Sequence, residues 1–396
     1  MAALSKWNDL RHRLAAVRIL IIHNSADIYG ASRSVLRLCK HLDRSRFEPL
    51  VMLPESGPLQ DLLTALGVRV LVFPGLRVIT RPILKSPRLV PWLLGFLPSV
   101  LRLAARLRRE EIALVHTNTG VICSSALAAR LAGVPHLWHI RDWFQEFGAL
   151  WKPYSRYILS LSSRVLCVSR PIAGQFPASQ KIEVLHNGFA LEDFPEISPE
   201  ERAAARARWG FAEADIVACA VGRIKFLRKG QEFLLEAAAL ARRQGLSIKC
   251  LLAGGPAPGS EDQIDRMKAL ATTLGVEAVF TGELSDARPA YAAADIFVLP
   301  SAQPEPFGGV VMEAMVLGRP VIGTNIGGTP EQVAEGETGL LVPPSDPSAM
   351  AAALSRLAAD PNLRSRMGAA GRKRIEKNFP LETMVHRIQN LYATLQ

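Results

Sequence analysis

The stretch DIFVLPSAQPEPFGGVVMEAMVLGRPVIGTN (295–325) carries the pattern that decides the fold. Its apolar run at 295–301 predicts a buried strand, residues 308–317 predict an apolar helix, and residues 320–325 predict a second strand. Strands that are apolar throughout, rather than alternately apolar and polar, are typical of a parallel sheet covered by helices on both faces. The stretch therefore predicts part of a doubly wound α/β domain.

The same alternation of strands and helices occupies most of the chain. Further strands are predicted at 17–23, 47–53, 68–73, 113–118, 136–140, 215–222, 247–255 and 277–282, with helices near 32–41, 58–66, 124–133 and 230–245. The alternation stops at the turn signal Asn187-Gly188 and restarts after two prolines. We predict two Rossmann-like doubly wound domains, 1–190 and 191–378, which face a cleft. Ligands bind such sheets outside the carboxyl ends of the strands.

Residues suited to an anionic ligand follow the strand at 295–301. Gly308 and Gly309 precede the first turn of the predicted helix, where backbone N–H groups and the helix dipole favour an anion. Glycine at these positions leaves room for a phosphate. Glu305 and Glu313 bracket this turn, and Glu313 is placed to bind a diol such as a ribose. The pattern predicts a phosphate and sugar site.

A second group of residues follows the strand at 215–222. Gly222-Arg223 comes at the strand end, and Lys229-Gly230 opens the next predicted helix. Two cations at neighbouring strand ends can neutralise a diphosphate leaving group, whose charge grows in the transition state.

These pieces together resemble the retaining GT-B glycosyltransferases of the large family 4, over nearly the whole chain. The matching segments are the G-R…K-G residues 222–230, Glu305 to Glu313 with their glycines, Gly327-Gly328 with Glu331, residues 337–354, the Gly30 loop, VHTN (115–118), His139 and Asn187-Gly188. The resemblance implies transfer of a sugar from a nucleoside-diphosphate sugar to a hydroxyl acceptor. It also implies that a C-terminal helix, 379–396, crosses back to complete the first domain.

The resemblance implies a role for individual residues. Arg223 and Lys229 would hold the donor diphosphate, Glu313 the ribose, and Glu305 the sugar and phosphate, with His139 as the active-site histidine. The donor side would further include Gly30, Ala31, Gly222, Phe307, Gly308, Gly309 and Val310. The acceptor side would include His116, Asn118, Arg141, Asp142 and Trp143.

Two departures from the family pattern bear on these roles. Five residues, 224–228, separate Arg223 from Lys229, where the family usually has four, so Lys225 and Arg228 are alternatives for the role of Lys229. In the first loop, Gly30-Ala31 stands where the family commonly has two glycines. We expect the backbone to contact the diphosphate there, with a geometry slightly different from that of the family's two glycines.

The excess of positive charge lies in the first half of the chain. Residues 1–195 contain 25 Lys and Arg against 13 Asp and Glu, and no acidic residue lies between Asp61 and Glu110. Within residues 77–109, a Trp- and Leu-rich run leads into a helix predicted from Pro98, with Arg102, Arg106 and Arg109 on one face. Such a segment suits an anionic membrane surface, and a lipid-linked saccharide or glycolipid acceptor. The alternative is an ordinary helix with a solvated basic face.

Several other classes of protein fit the sequence less well. No G-x-G-x-x-G follows the first strand, as a dehydrogenase would need, and no nucleic-acid-binding motif is present. No D-x-D pair or zinc spacing predicts a metal, and the five scattered cysteines predict reduced core thiols. We therefore expect no cofactor. A nucleotide-sugar epimerase of the same fold and a non-catalytic sugar-nucleotide binding module remain alternatives.

The sequence also bears on location. No apolar run approaches the ~18–20 residues that span a bilayer, and residues 1–16 do not form a signal peptide. We expect a cytoplasmic protein, peripheral on the inner face of the cell membrane and active in cell-envelope polysaccharide synthesis.

Overall fold

The computed structural model describes residues 16–79, 83, 86–256 and 259–396. The chain divides into two compact units. The first unit is Met1–Asn187 with Glu382–Gln396, and the second unit is Gly188–Leu381. The domain boundaries predicted at 190/191 and 378/379 lie three residues from these crossings.

The first unit is built on a seven-stranded sheet in which every strand pair is parallel. The spatial order is β3-β2-β1-β4-β5-β6-β7. The strands are β1 (Val17–Ile22), β2 (Phe47–Leu53), β3 (Arg69–Val72), β4 (Leu114–Thr117), β5 (His136–Ile140), β6 (Arg164–Cys167) and β7 (Ile182–Val184). The central strands β4 and β5 are buried along their whole length, as expected for a sheet with both faces covered.

The second unit has a six-stranded sheet, again with parallel neighbours, in the order β10-β9-β8-β11-β12-β13. Its strands are β8 (Ile216–Val221), β9 (Ile248–Ala253), β10 (Ala278–Gly282), β11 (Ile296–Leu299), β12 (Val321–Thr324) and β13 (Gly339–Val342). In both sheets the order reverses beside the first strand, between β1 and β4 and between β8 and β11. Ligands of doubly wound folds bind at such switch points.

Helices connect the strands and cover the sheets. They are α1 (Gly30–His41), α2 (Pro58–Ala65), α3 (Leu89–Leu94), α4 (Phe96–Arg109), α5 (Ser124–Ala132), α6 (Trp151–Leu161), α7 (Arg170–Ala173), α8 (Pro199–Arg208), α9 (Gln231–Arg243), α10 (Asp262–Leu274), α11 (Arg288–Ala293), α12 (Gly309–Val316), α13 (Thr329–Gln332), α14 (Pro347–Ala359), α15 (Pro361–Asn378) and α16 (Leu381–Leu395). Two 3₁₀ turns are Gln145–Leu150 and Leu191–Asp193. Helices α14 and α15 begin at an aspartate cap followed by proline, which satisfies one first-turn N–H and presets the first helical φ.

The last helix, α16, packs on the first unit. The Tyr392 ring is fully buried and meets the Phe47 ring edge-on, with 5.6 Å between centroids. The Gln389 side-chain oxygen accepts a hydrogen bond from Asp43 N at 2.9 Å. The C-terminal helix therefore completes the first unit, as the resemblance implied.

The predicted two-domain α/β fold is confirmed, but β6, β7 and β13 were not predicted. Each is only three or four residues long, too short for a periodic pattern to mark it. The helix predicted from Pro98 begins two residues earlier, at Phe96.

One expectation about membranes needs correction. By length and composition alone, Leu89–Arg109 could cross a membrane, so a stretch of that size does exist. In the fold this stretch breaks into α3 and α4 at Gly95, where Arg77 Nε donates to the Gly95 carbonyl at 3.0 Å. Val100 and Leu103 of α4 are fully buried in the core of the first unit, which leaves the stretch unavailable to span a bilayer in this fold.

Candidate active site

The loop after β8 carries the cations predicted to hold a diphosphate. Lys229 N donates to the Lys225 carbonyl at 2.9 Å, which closes one helical turn before α9. Gly230 ends the loop with φ 70°, and a Cβ there would lie 1.9 Å from the Pro300 carbonyl oxygen. The loop therefore lies directly against the residue that follows β11, and only glycine allows this approach.

This approach brings Lys229 and Glu305 together. Lys229 Nζ lies 2.6 Å from Glu305 Oε1, and Ser301 Oγ donates to the same oxygen at 3.0 Å. Burial alone would raise the pKa of Glu305, but Lys229 and the Ser301 hydrogen bond lower it below its ordinary value of 4.5. Glu305 is therefore ionised at neutral pH, and accepts hydrogen bonds rather than donating a proton.

The structure bears on the alternatives for Lys229. Of the three cations, Lys229 makes the ion pair with Glu305, while the charge of Arg228 contributes to lowering the pKa of Glu305. Between Lys225 and Arg228, Leu227 adopts φ 55° and is 70% exposed. Positive φ is costly for a leucine. The longer loop thus adopts a strained turn that leaves Lys229 as the partner of Glu305.

Gly308 precedes α12 and Gly309 begins it, and the space at Gly309 is open. Gly308 N donates to Gln332 Oε1 at 3.1 Å, and Gln332 Nε2 donates back to the Gly308 carbonyl at 2.8 Å. A Cβ built on Gly309 would meet no atom within 4 Å. Neither packing nor backbone strain requires glycine at position 309, so its contribution is room in front of the helix N-terminus. Phe307 is buried beside this turn and packs on Phe379, with ring centroids 5.6 Å apart.

Glu313 lies in α12 and is 7% exposed. Tyr291 O–H donates to Glu313 Oε2 at 3.0 Å, and also reaches the Val310 carbonyl at 3.3 Å. One carboxylate oxygen is thereby oriented by a fully buried phenol. Arg223 lies at the end of β8, where Gln231 Nε2 donates to its carbonyl at 3.0 Å and fixes the backbone that follows Gly222.

In the first unit, His139 lies within β5 and is fully buried. Arg141 Nη2 lies 3.3 Å from His139 Nδ1. Arginine can only donate, so Nδ1 accepts and the ring proton is on Nε2. Within the described ranges Nε2 has no hydrogen-bond partner. Burial lowers the pKa of His139 well below 6.5, so the ring is an uncharged donor.

His116 lies beneath His139. Their rings stack with 5.5 Å between centroids and 18° between planes. His116 Nδ1 is 2.6 Å from the Tyr392 hydroxyl of α16, and burial lowers the pKa of His116 to about 3. The structure places His116 as a fully buried support for the His139 ring, whereas the sequence had placed it on the acceptor side. The acceptor contact of His116 stays a prediction.

Asn118 and Arg141 form a polar bridge at the ends of β4 and β5. Arg141 Nε donates to Asn118 Oδ1 at 2.9 Å, and Arg141 Nη1 donates to Asn187 Oδ1. Asn118 Nδ2 donates to the Ala31 carbonyl at 3.3 Å. The bridge ties α1, β4, β5 and the Asn187 turn together. Like Gly309, Gly30 would place a Cβ with no atom within 4 Å, so the start of α1 is also open.

Asp142 and Trp143 follow β5, and both are partly buried. Asp142 Oδ2 accepts from Gly120 N at 2.6 Å and from Thr119 Oγ1 at 2.9 Å. Burial raises the pKa of Asp142, although these hydrogen bonds oppose the rise. In this structure Asp142 holds the turn after β4 in place.

Sequence reasoning missed the supporting residues Ser301, Gln332, Tyr291 and Tyr392. None is close in sequence to the residue that it orients, except Ser301 four residues before Glu305. Among the described residues, no three His, Cys, Asp or Glu side chains form a group that could hold a metal ion.

Comparison with known proteins gives the family. The profile of Glycosyl transferases group 1 matches residues 201–374, and that of Glycosyltransferase Family 4 matches residues 28–193. The D-inositol 3-phosphate glycosyltransferase of Streptomyces bingchenggensis is 35% identical over 207 residues, which cover 50% of this chain and 44% of that protein.

A second relative is the GDP-mannose-dependent alpha-(1-6)-phosphatidylinositol monomannoside mannosyltransferase of Mycolicibacterium smegmatis. It is 33% identical over 232 residues, which cover 56% of this chain and 58% of that protein. The matches therefore span about half the length of these curated relatives. Among solved structures, HepE of Anabaena in complex with UDP and glucose has a TM-score of 0.80 and 25% identity, over 96% of this chain and 100% of that one. With two profiles that together match most of the sequence, this chain belongs to the family 4, group 1 glycosyltransferases and has their GT-B fold.

Proposed function

We propose that this chain transfers a sugar from a nucleoside-diphosphate sugar to a hydroxyl acceptor, with retention of anomeric configuration. The observation that carries the proposal is the Lys229–Glu305 ion pair, 2.6 Å long, beside the open N-terminus of α12. It lies after β8 and β11, the strands at the switch point of the second unit. HepE, a structural relative, was solved with UDP and glucose, which supports this class of donor.

The second unit supplies groups suited to a departing diphosphate. Lys229 and Arg223 provide positive charge, and the N–H groups at the start of α12 provide preorganised dipoles. Glu305, held ionised by Lys229, would accept hydrogen bonds from sugar hydroxyls, and Glu313 would accept those of the ribose diol. This arrangement supplies leaving-group stabilisation from the residues of the protein, without requiring a metal ion.

The first unit supplies an uncharged donor. The Nε2–H of His139 is buried and has no partner in the described part of the chain, and we propose that a hydroxyl oxygen of the transferred sugar satisfies it once the donor is bound. Its low pKa makes it unsuited to act as an imidazolium acid at neutral pH. We assign it to sugar binding rather than to proton transfer.

Retention requires bond making and breaking on one face of the sugar. The bond from C1 to the β-phosphate oxygen breaks, and a bond from C1 to the acceptor oxygen forms on the same face. The departing phosphate oxygen takes the acceptor proton. The products are the glycosylated acceptor and the nucleoside diphosphate. Ionised Glu305 contributes no proton to this step.

We further propose a lipid-linked saccharide or glycolipid acceptor, reached at the cytoplasmic face of the membrane in cell-envelope polysaccharide synthesis. The mycobacterial relative is named for a phosphatidylinositol mannoside acceptor, which supports a lipid-held substrate.

The donor site can be tested by thermal shift with UDP, GDP, ADP, TDP and CMP, each with and without EDTA. We expect one diphosphate to raise Tm by about 5–10 °C at about 100 times its Kd, unchanged by EDTA. Arg223→Ala and Glu313→Ala should abolish the shift. Arg243→Ala, at an exposed arginine of the same unit, should keep it.

Product analysis tests the reaction itself. NMR of the transferred sugar should show the anomeric configuration of the donor. An inverted product would contradict retention. Conversion of the bound nucleotide sugar to its epimer, with no transfer to any acceptor, would replace the transferase proposal with the epimerase.

A further inference from the structure

Helices α3 and α4 expose a run of large apolar side chains. Val90, Leu93, Leu94, Leu97 and Leu101 are 60%, 56%, 76%, 58% and 53% exposed. Eleven large apolar side chains are exposed in the described part of the chain, and these five fall within twelve residues. Clusters of this kind mark interaction sites, whereas single exposed leucines are ordinary. We call these five residues the apolar stripe.

The stripe has a fixed direction. Positions 90, 94, 97 and 101 follow helical spacing and lie along one side of the two helices. The opposite side of α4, with Val100, Leu103 and Leu107, is at most 1% exposed and packs in the core of the first unit. The protein's own core therefore holds the stripe outward.

Helix α3 is also anchored. The Trp92 indole N–H donates to the Val78 carbonyl at 3.0 Å, and the Trp92 ring lies against Phe96 with 5.7 Å between centroids. A side chain at Gly95, between the helices, would collide with Arg77. These contacts hold α3 in place beside α4, so the stripe is preformed.

Exposed arginines border the stripe. Arg88, Arg102 and Arg108 are exposed, and Arg102 directly follows Leu101. The first carboxylate that follows in the sequence, Glu110, is buried and pairs with Arg69 at 2.8 Å and with Arg106 at 2.9 Å. Of the three arginines predicted on one face, Arg106 and the more distant Arg109 are thus partly neutralised by Glu110. The border of the stripe nevertheless keeps net positive charge.

We infer that the apolar stripe docks on an anionic lipid bilayer, with its leucines in the interfacial region and its arginines at the head groups. Apolar side chains flanked by arginine match the chemistry of that surface. A second copy of this chain is a poorer occupant, because pairing two stripes would bring arginines of like charge together. Docking needs no donor, so it is independent of the proposed reaction. Combined with that reaction, it would present a lipid-held acceptor to the first unit.

Vesicle flotation of the full chain tests docking. We expect the protein to float with phosphatidylcholine vesicles that contain about 30% phosphatidylglycerol, and to float much less with phosphatidylcholine alone. The variant Leu93→Gln, Leu94→Gln, Leu97→Gln, Leu101→Gln should reduce the bound fraction at least about tenfold. Arg88→Gln with Arg102→Gln should weaken the preference for anionic vesicles. Leu150→Gln and Arg156→Gln, at exposed positions on the same unit, are the matched controls.

A second measurement does not depend on the folding of the fourfold variant. The five native cysteines are buried, so Leu94→Cys offers a single accessible thiol for an environment-sensitive fluorophore. Its emission should shift to the blue with anionic vesicles, whereas a probe at Leu150→Cys should not respond. Equal flotation of the fourfold variant, an unchanged probe at position 94, or a dimer in solution that the fourfold variant dissociates would overturn the inference. Loss of docking with nucleotide binding intact would leave the proposed donor site standing.

Discussion

The two units share a strand order but differ in the chemistry at their strand ends. The first unit contains buried, uncharged histidines and one arginine bridge, whereas the second contains the Lys229–Glu305 ion pair. All eight histidines of the sequence fall in the first unit, and residues 188–381 contain none. Because topology is common to both, residue type makes the difference. Neutral donors and acceptors suit a hydroxyl partner, and fixed charges suit a phosphate.

The comparison predicts that acid destabilises the first unit at a higher pH than the second. Burial lowers the pKa of His23 to about 4, of His116 and His136 to about 3, and of His139 well below 6.5. As pH falls through 6.5, these histidines become protonated in the unfolded chain but stay neutral in the folded unit. The free energy of unfolding therefore decreases as pH falls. Between about pH 7.5 and 5.5 each of these histidines lowers the free energy of unfolding by about 1.4 kcal/mol, and the four together lower it by about 5 kcal/mol. We expect the first unit to unfold first.

Hydrogen exchange read by mass spectrometry resolves the units separately. Peptides of the first unit should lose protection between about pH 6.5 and 5. Peptides of residues 188–381, which titrate carboxylates but no histidine, are the internal control. Simultaneous loss in both units, or NMR signals of His23, His116, His136 or His139 that titrate near 6.5, would contradict the assignment of neutral buried rings.

Replacing Lys229 by an uncharged residue should reverse the pH dependence of the stability that Glu305 contributes to the second unit. In the wild type, the pKa of Glu305 is lowered, so the ion pair stabilises above pH 4.5 and this contribution fades as pH falls through the folded pKa. In Lys229→Met, only the Ser301 hydrogen bond and the charge of Arg228 still oppose burial, so the pKa of Glu305 should rise. The variant should lose about 2–4 kcal/mol of the free energy of unfolding near pH 7, and a smaller amount towards pH 4.5. The loss is smaller than for a fully buried ion pair because Lys229 is 30% exposed.

Denaturant titration of both forms at several pH values measures this. The double variant Lys229→Met with Glu305→Gln removes both charges, and should recover much of the loss. A deficit that is constant with pH, or a double variant as unstable as the single one, would show that Lys229 contributes by packing rather than by charge.

The residues of the candidate site in the second unit could be picked out together from the sequence because they are close along the chain. Glu305, Gly309 and Glu313 lie within one strand-loop-helix unit, where spacing and helix geometry determine which groups face a ligand. The residues that orient these groups could not be predicted from the sequence. Gln332 and Tyr291 reach the site from other elements, and only the folded sheet brings them there. The roles assigned to these residues stay predictions.

The contacts around the histidines of the first unit were even harder to predict, because they join residues that are farther apart in the sequence. His116 sits under His139 and is held by Tyr392, which is 276 residues further along the chain. No local pattern encodes that contact. The basic face of α4 was predicted from helical spacing, but the ion pair between Arg106 and Glu110, which the i,i+4 spacing favours, was missed.

The contact between His116 and Tyr392 gives the smallest effect. Tyr392→Phe keeps the buried ring against Phe47 but removes the hydroxyl 2.6 Å from His116 Nδ1. Because that nitrogen would then be buried without a partner, we expect a loss of about 1–3 kcal/mol in the free energy of unfolding. In a double-mutant cycle with His116→Leu, the combined loss should be smaller than the sum, since the stranded nitrogen is gone. Additive losses would mean that the helix is held by packing alone, and that the histidine stack under the candidate site is set without Tyr392.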